Sequence, residues 1–139
     1  MKTIYLLIYY LFAQYLPKST TPYIGKTSKK IREFLCVRIF KKAGKKINVE
    51  NRVYFGNGSG ISIGNEVGFG QNVRIHNMQL NIGNYVMIGT DSFFQGGAHL
   101  HDDLTIPIAH QGGAEKKSEL TIGDDVWIGV RVLVLPGCK

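Results

Sequence analysis

Between residues 99 and 111 the chain gathers most of the side chains it has for moving protons. The run is His99-Leu100-His101-Asp102-Asp103, followed at short range by His110 and Gln111. Three of the four histidines lie in this stretch, and His76 stands apart. Imidazole is the side chain that takes and gives a proton near neutrality. A histidine with a carboxylate nearby can act as a general base whose second ring N–H is held by the acid; Asp102 and Asp103 are both candidates for that orienting role. His99 and His101, two residues apart, share a face if the segment is extended. The same His-x-His-Asp-Asp pattern could instead hold zinc, because imidazole and carboxylate both suit that ion. His110 and His76 read as surface or substrate-lining residues. No Ser or Cys nucleophile is paired with a base in the surrounding repeat, which agrees with chemistry that forms no covalent enzyme intermediate.

The elements that must position these groups are written in a six-residue rhythm. Aliphatic-or-aromatic-then-Gly pairs recur as Ile63-Gly64, Phe69-Gly70, Ile82-Gly83, Ile88-Gly89, Ile122-Gly123 and Ile128-Gly129. A helix repeats at 3.6 residues and a strand at 2, so neither explains the spacing. Short strands joined by tight corners do, if each strand stacks on the one a full coil earlier. Gly, Asn and Asp at the corners tolerate the positive φ that such turns demand. Three hexads make one triangular coil, which groups the inward anchors as 63/69/75, 82/88/94 and 122/128/134, with a one-residue slip near Met78–Asn81. A weaker stretch from Ile47 through Val53 to Ile61 is expected to add a partial coil at the entrance. The fold class read here is mainly β: a parallel β-helix of hexapeptide repeats preceded by N-terminal helices. From Phe94 to Ile122 the gap is 28 residues where 6 would do, so a loop spanning about 96–118 is inserted, and it carries the histidines. Solenoids tolerate such insertions on one face, commonly the binding face.

The chain of 139 residues fits one compact unit with a modest core. We divide it into an N-terminal helical region, 1–46, and a repeat region, 47–139. Net charge is +7, but residues 1–50 hold eleven Lys/Arg against two acids while residues 51–139 hold six against eight. No nucleic-acid motif accompanies the basic region. Its first element is an apolar run, residues 4–13, shorter than the roughly 20 residues a membrane span needs and followed by no small-x-small cleavage pattern. A helix packed on the domain or a partner is expected there, with membrane-interface association as the alternative. Ser28–Lys46 reads as a basic amphipathic helix stopped by Gly44, with Ile31, Phe34, Leu35 and Ile39 on one face and Lys29, Lys30, Arg32, Lys41 and Lys42 on the remainder. Such a helix either lies on an anionic membrane surface or presents a solvated face. Cys36 and Cys138 have no metal or disulfide spacing, which suggests a reducing, cytoplasmic compartment.

Three blocks carry a family resemblance: Tyr54-Phe55-Gly56 leading into Ile63-Gly64-Asn65; Ala98-His99 with Asp102-Asp103, Ile106-Pro107-Ile108 and Gln111-Gly112; and Ile122-Gly123-Asp124-Asp125-Val126-Trp127-Ile128-Gly129 running on to Val134-Leu135-Pro136-Gly137. In these the chain resembles the hexapeptide-repeat acetyltransferases, and among them the sugar O-acetyltransferases of bacterial capsule and exopolysaccharide biosynthesis. Ala98 departs from the Asn that often precedes the family histidine. The resemblance implies a left-handed coil, acetyl-CoA as co-substrate with no metal, a sugar or glycan-precursor acceptor, and a homotrimer with sites between subunits. It also implies that His99 is the general base; His101 is the competing assignment. Asn72 falls where sugar-acetylating relatives place an active-site asparagine, so substrate or oxyanion positioning is expected of it. Trp127 is expected to be mostly structural, near an acetyl-CoA groove that runs by Gly129. Relatives continue beyond Pro136-Gly137 with further coils that complete that groove, so weakened acetyl-CoA binding is expected of the 139-residue chain. Two other classes stand beside this reading: a truncated, non-catalytic β-helical scaffold, and a zinc-dependent lyase of the same fold.

Overall fold

The computed structural model describes residues 1–113, 118–135 and 137–138. Helix α1 (Lys2–Leu11) and a 3-10 turn at Ala13–Tyr15 lead to α2 (Gly25–Ile39). Strands β1 (Lys42–Ala43) and β2 (Asn48–Val49) begin the first coil. Strands β3 (Ile61–Ile63), β4 (Gly68–Phe69) and β5 (Arg74–His76) form the second. Strands β6 (Met78–Ile82), β7 (Met87–Ile88) and β8 (Phe93–Gln95) form the third. Strands β9 (Ser118–Ile122), β10 (Trp127–Ile128) and β11 (Leu133–Val134) form the fourth.

Each strand pairs in parallel with the strand one coil away, giving three sheets ordered β1-β3-β6-β9, β2-β4-β7-β10 and β5-β8-β11. The expected anchors fall in columns: Ile63, Ile82 and Ile122; Phe69, Ile88 and Ile128; Ile75, Phe94 and Val134. They point into the prism, where the first two members of each column are buried. Removing an aliphatic side chain of this size from water is worth roughly 1.5–3 kcal/mol, so these columns are the core. The extra residue of the slip is taken up at Asn77, in left-handed backbone between β5 and β6 (φ 49°).

Three expectations need correction. The partial coil starts earlier than Ile47: Lys42 pairs with Ser62, Ala43 with Ile63, and Tyr54 bridges Arg74, while Ile61 belongs to the next coil. The 46/47 boundary therefore falls inside a coil. Second, α2 stops at Ile39, because Phe40 turns extended (ψ 155°) and Lys41 donates its N–H to the Ile61 carbonyl at 2.9 Å. Gly44 is a stacking residue of that coil, not a helix stop. Third, the repeat glycines keep ordinary φ; the left-handed corner positions include Asn72, Asp91 and Asp125, as expected, but otherwise fall on Lys46, Arg52, Glu66, Tyr85 and Arg131. Glycine is needed for a different reason. A Cβ on Gly64 would sit 2.6 Å from the Gly83 carbonyl oxygen, and one on Gly89 would sit 2.5 Å from the Gly129 carbonyl carbon. Close stacking of coils, not dihedral freedom, selects glycine there.

The helices close the first coil. Tyr9 is buried and its hydroxyl donates to the Val53 carbonyl at 2.9 Å, while Tyr9 and Phe40 both pack on Phe55. Arg32, read from sequence as part of the solvated face, is fully buried. Its guanidinium donates to the carbonyls of Leu16 (3.1 Å), Pro17 (3.0 Å) and Val49 (2.5 Å), and pairs with Glu50 at 3.3 Å. The buried face of α2 is thus Ser28, Arg32, Leu35, Cys36 and Ile39, and Phe34 lies outside it. Among the described residues, no helix is long and apolar enough to cross a membrane.

Candidate active site

Strand β8 ends at Gln95, and the chain leaves the prism over two glycines. Gly96 lies against the backbone of Asn77 and Met78, where no Cβ fits, and Gly97 lies under the Asn77 side chain. The Gln95 amide donates to the Gly97 carbonyl at 2.6 Å and fixes the exit. The segment then turns back on itself: His99 makes an antiparallel bridge with Gly113, and Leu100 N–H donates to the Gly112 carbonyl at 3.1 Å. At Ser118 the strand register resumes against Met78. The part of the expected 96–118 loop from 114 to 117 lies outside the described residues, as does Pro136 of the third sequence block.

Gln111 and Asp103 shape the loop tip. The Gln111 side-chain amide donates to the carbonyls of Asp103 (2.7 Å) and Ile106 (2.9 Å), and its oxygen accepts from Asp103 N–H at 3.2 Å. One Asp103 carboxylate oxygen accepts from both the N–H (2.8 Å) and the hydroxyl (2.6 Å) of Thr105, which holds its acid below the usual aspartate range. Pro107 then opens a 3-10 turn at Ile108–His110.

His99 is exposed at the base of this loop, in a recess lined by Asn77, Gln95, Gly97, Ala98 and Gly113. Its Nδ1 lies 3.2 Å from the Gly112 carbonyl oxygen. A carbonyl can only accept, so Nδ1 carries a proton, and in the neutral ring the lone pair then lies on Nε2. The orienting partner is therefore a backbone carbonyl. Asp103 is engaged with Thr105, and Asp102 is exposed with its carboxylate 3.9 Å from His101 Nε2. His101 in turn places Nδ1 3.2 Å from the His99 carbonyl. His110 is exposed on the short turn.

Asn72 is not brought to His99. It lines a separate recess with Arg52, Arg74, Asp91, Ser92 and Phe93, and its amide donates to Asp91 at 2.9 Å as one rung of an intercoil ladder. The asparagine beside His99 is Asn77, which the sequence reading passed over; the one-residue slip in the repeat was the signal that marked it. Asn77 also belongs to a neighbouring recess with Tyr54, Asn57, Gly60 and His76. There His76 is held between Tyr54 and Phe93, at centroid distances of 4.8 and 5.0 Å. Burial, with Arg74 adding to it, lowers the His76 pKa below the usual histidine value. His76 thus forms part of the wall of that recess. Trp127 is 78 % exposed and pairs in register with Met87, also exposed, on the outer face of the second sheet, so it contributes nothing to the core. Gly129 sits at the corner that follows, stacked on Gly89. Among the described residues, no three His, Cys, Asp or Glu side chains converge as a metal site would require.

No protein-family model matches the sequence. The chain is 32 % identical over 108 residues to a galactoside O-acetyltransferase of Escherichia coli, an alignment covering 76 % of this chain and 51 % of that protein. It is 36 % identical over 78 residues to a probable acetyltransferase of Mycobacterium tuberculosis, covering 55 % of this chain and 25 % of that one. The chain thus spans about half, or less, of the length of these curated relatives. Among solved structures, a hexapeptide-repeat containing acetyltransferase of Vibrio cholerae superposes with a TM-score of 0.67 at 27 % identity, over 78 % of this chain and 60 % of that one. Its fold, together with the three parallel sheets described above, fits a left-handed β-helix.

Proposed function

Because the chain belongs to the hexapeptide-repeat acetyltransferase family, we propose that it carries out acetyl-CoA-dependent O-acetylation of a sugar hydroxyl in cell-surface polysaccharide biosynthesis, with His99 as general base. The observation that carries this reading is the pairing of His99 Nδ1 with the Gly112 carbonyl. It fixes the tautomer in which Nε2 can receive a proton, within an open recess that also holds the Asn77 amide. A sugar hydroxyl is a poor nucleophile. As its oxygen attacks the acetyl carbonyl, Nε2 takes the hydroxyl proton, the C–O bond forms and the C–S bond breaks. The proton then passes from Nε2 to the departing thiolate.

The acceptor occupies the two recesses that meet at Asn77. Tyr54 offers an aromatic face, and the amides of Asn57, Asn77 and Gln95 offer hydrogen bonds to ring hydroxyls. The acetyl-CoA strip runs along the Met87–Trp127 face toward Gly129. His99 is exposed in the single chain, which agrees with a homotrimer whose sites lie in clefts between protomers.

The test is to incubate the full chain with acetyl-CoA and a panel of glycosides and detect the acetylated sugar by mass spectrometry. His99→Ala should lower turnover by about 10²–10⁴-fold and leave the thermal melt unchanged, since the ring is exposed. Full turnover in His99→Ala, with His101→Ala inactive, would transfer the role to His101.

A further inference from the structure

The N-terminal helices carry more apolar surface than the prism covers. On α1, Tyr5 and Tyr9 face the rest of the protein, as does Ala13 in the turn that follows. Ile4, Ile8 and Leu11 lie on the other side at the i, i+4, i+7 spacing of one helical stripe, and Ile4 and Leu11 are 60 % and 76 % exposed. A helix apolar all round is normally covered all round; half of α1 is not.

The uncovered surface continues onto α2. Tyr5 meets Phe34 edge-on at 6.2 Å, and the Arg38 guanidinium lies 3.5 Å over the Phe34 ring. Phe34 and Val37 are exposed, and Lys30 shares their stripe one turn earlier. Lys26, Lys29, Lys30 and Lys46 line one recess with Glu33, and Lys46 also pairs with Glu66 at 3.1 Å. Glu33 and Glu50 are the only acids in residues 1–50, and Glu50 is engaged by Arg32 and Ser19. The acidic corner residues Asp124 and Asp125 stand on the fourth coil, away from the helices that close the first.

Apolar side chains bordered by lysines are what an interfacial helix presents to lipid. Two copies of this cap in contact would set like charges against each other. An anionic bilayer accommodates both features at once. We propose that α1 and α2 dock the protein on an anionic membrane surface, with Ile4, Ile8 and Leu11 entering the acyl boundary and the lysines at headgroup level. The fourth coil, with Asp124 and Asp125, then points away from the membrane.

Flotation of the full chain with vesicles tests this. Binding is expected to phosphatidylcholine vesicles containing phosphatidylglycerol, weakened by salt, and not to phosphatidylcholine alone. Lys29→Gln/Lys30→Gln should lower the partition coefficient on the order of 30-fold. Ile4→Gln/Leu11→Gln, both at exposed positions, should lower it by about 100-fold without altering the melt. Absence of binding to the anionic vesicles would overturn the proposal, as would unchanged binding by Ile4→Gln/Leu11→Gln. Concentration-dependent assembly that this variant abolishes, with no vesicle binding, would assign the face to a second copy instead.

Discussion

Replacing Arg32 with Met should be among the most damaging single changes in this protein. The side chain is fully buried and its guanidinium supplies four contacts: three backbone carbonyls, from Leu16, Pro17 and Val49, and the Glu50 carboxylate. Methionine fills similar space but donates nothing, so three carbonyls lose a partner and a carboxylate loses its counter-ion. Breaking one side of a buried ion pair costs about 3–5 kcal/mol. With roughly 3 °C of melting temperature per kcal/mol for a chain of this size, the melt should fall by about 10–15 °C. Glu50 gives the argument a second, independent readout. Burial pushes its carboxyl up, yet the Ser19 hydroxyl and N–H, the Asn48 amide and Arg32 together hold it below the ordinary glutamate value. Its contribution to stability is therefore present above about pH 4.3 and is lost as pH falls through the lowered folded value. Without Arg32 the desolvation remains and the main charge partner does not, so the penalty of Arg32→Met should shrink on acidification. Adding Glu50→Gln in that background should recover about 1–2 kcal/mol. Circular-dichroism melts at neutral and acid pH, for the two single variants and the double, measure all of this. A melt of Arg32→Met equal to that of the parent, or strict additivity of the two changes, would refute the view that Arg32 ties α2 to the first coil.

The other expectations concern stacking, thiols and the recess. Gly89→Ala should cost about 1–3 kcal/mol, because its Cβ would overlap the Gly129 backbone one coil on; a chemical denaturation midpoint equal to that of the parent would remove the close-stacking explanation. Cys36 is buried, and burial pushes its thiol well up, whereas Cys138 is exposed; a thiol reagent should therefore titrate one cysteine in the native protein and two after unfolding. The Asn77 amide lies in the recess with His99 and the Asn72 amide is spent on Asp91, so Asn77→Ala should reduce kcat/KM for the acceptor about 10-fold. Asn72→Ala should leave it unchanged while lowering the melting temperature, and the reverse pattern would restore Asn72 to the site.

The sequence by itself determined the prism. Period, anchor columns and the point where the histidine loop departs were all legible, because each inward anchor reports on one coil and its neighbours repeat the same message. The tertiary structure decided what depends on pairs distant in the chain. Arg32 looked solvated because a helical wheel cannot foresee that Leu16, Pro17, Val49 and Glu50 will converge on it. The glycines looked like turn residues because the neighbour that excludes a Cβ lies a full coil away. Sequence adjacency offered Asp102 and Asp103 as partners of an imidazole; in the folded chain Asp102 lies 3.9 Å from His101, while the loop gives His99 the Gly112 carbonyl. Asn77 came beside His99 only when Gly96 and Gly97 were laid across it. A repeat broadcasts its local rule many times over, but a site is a single meeting of residues that only the closed chain brings together.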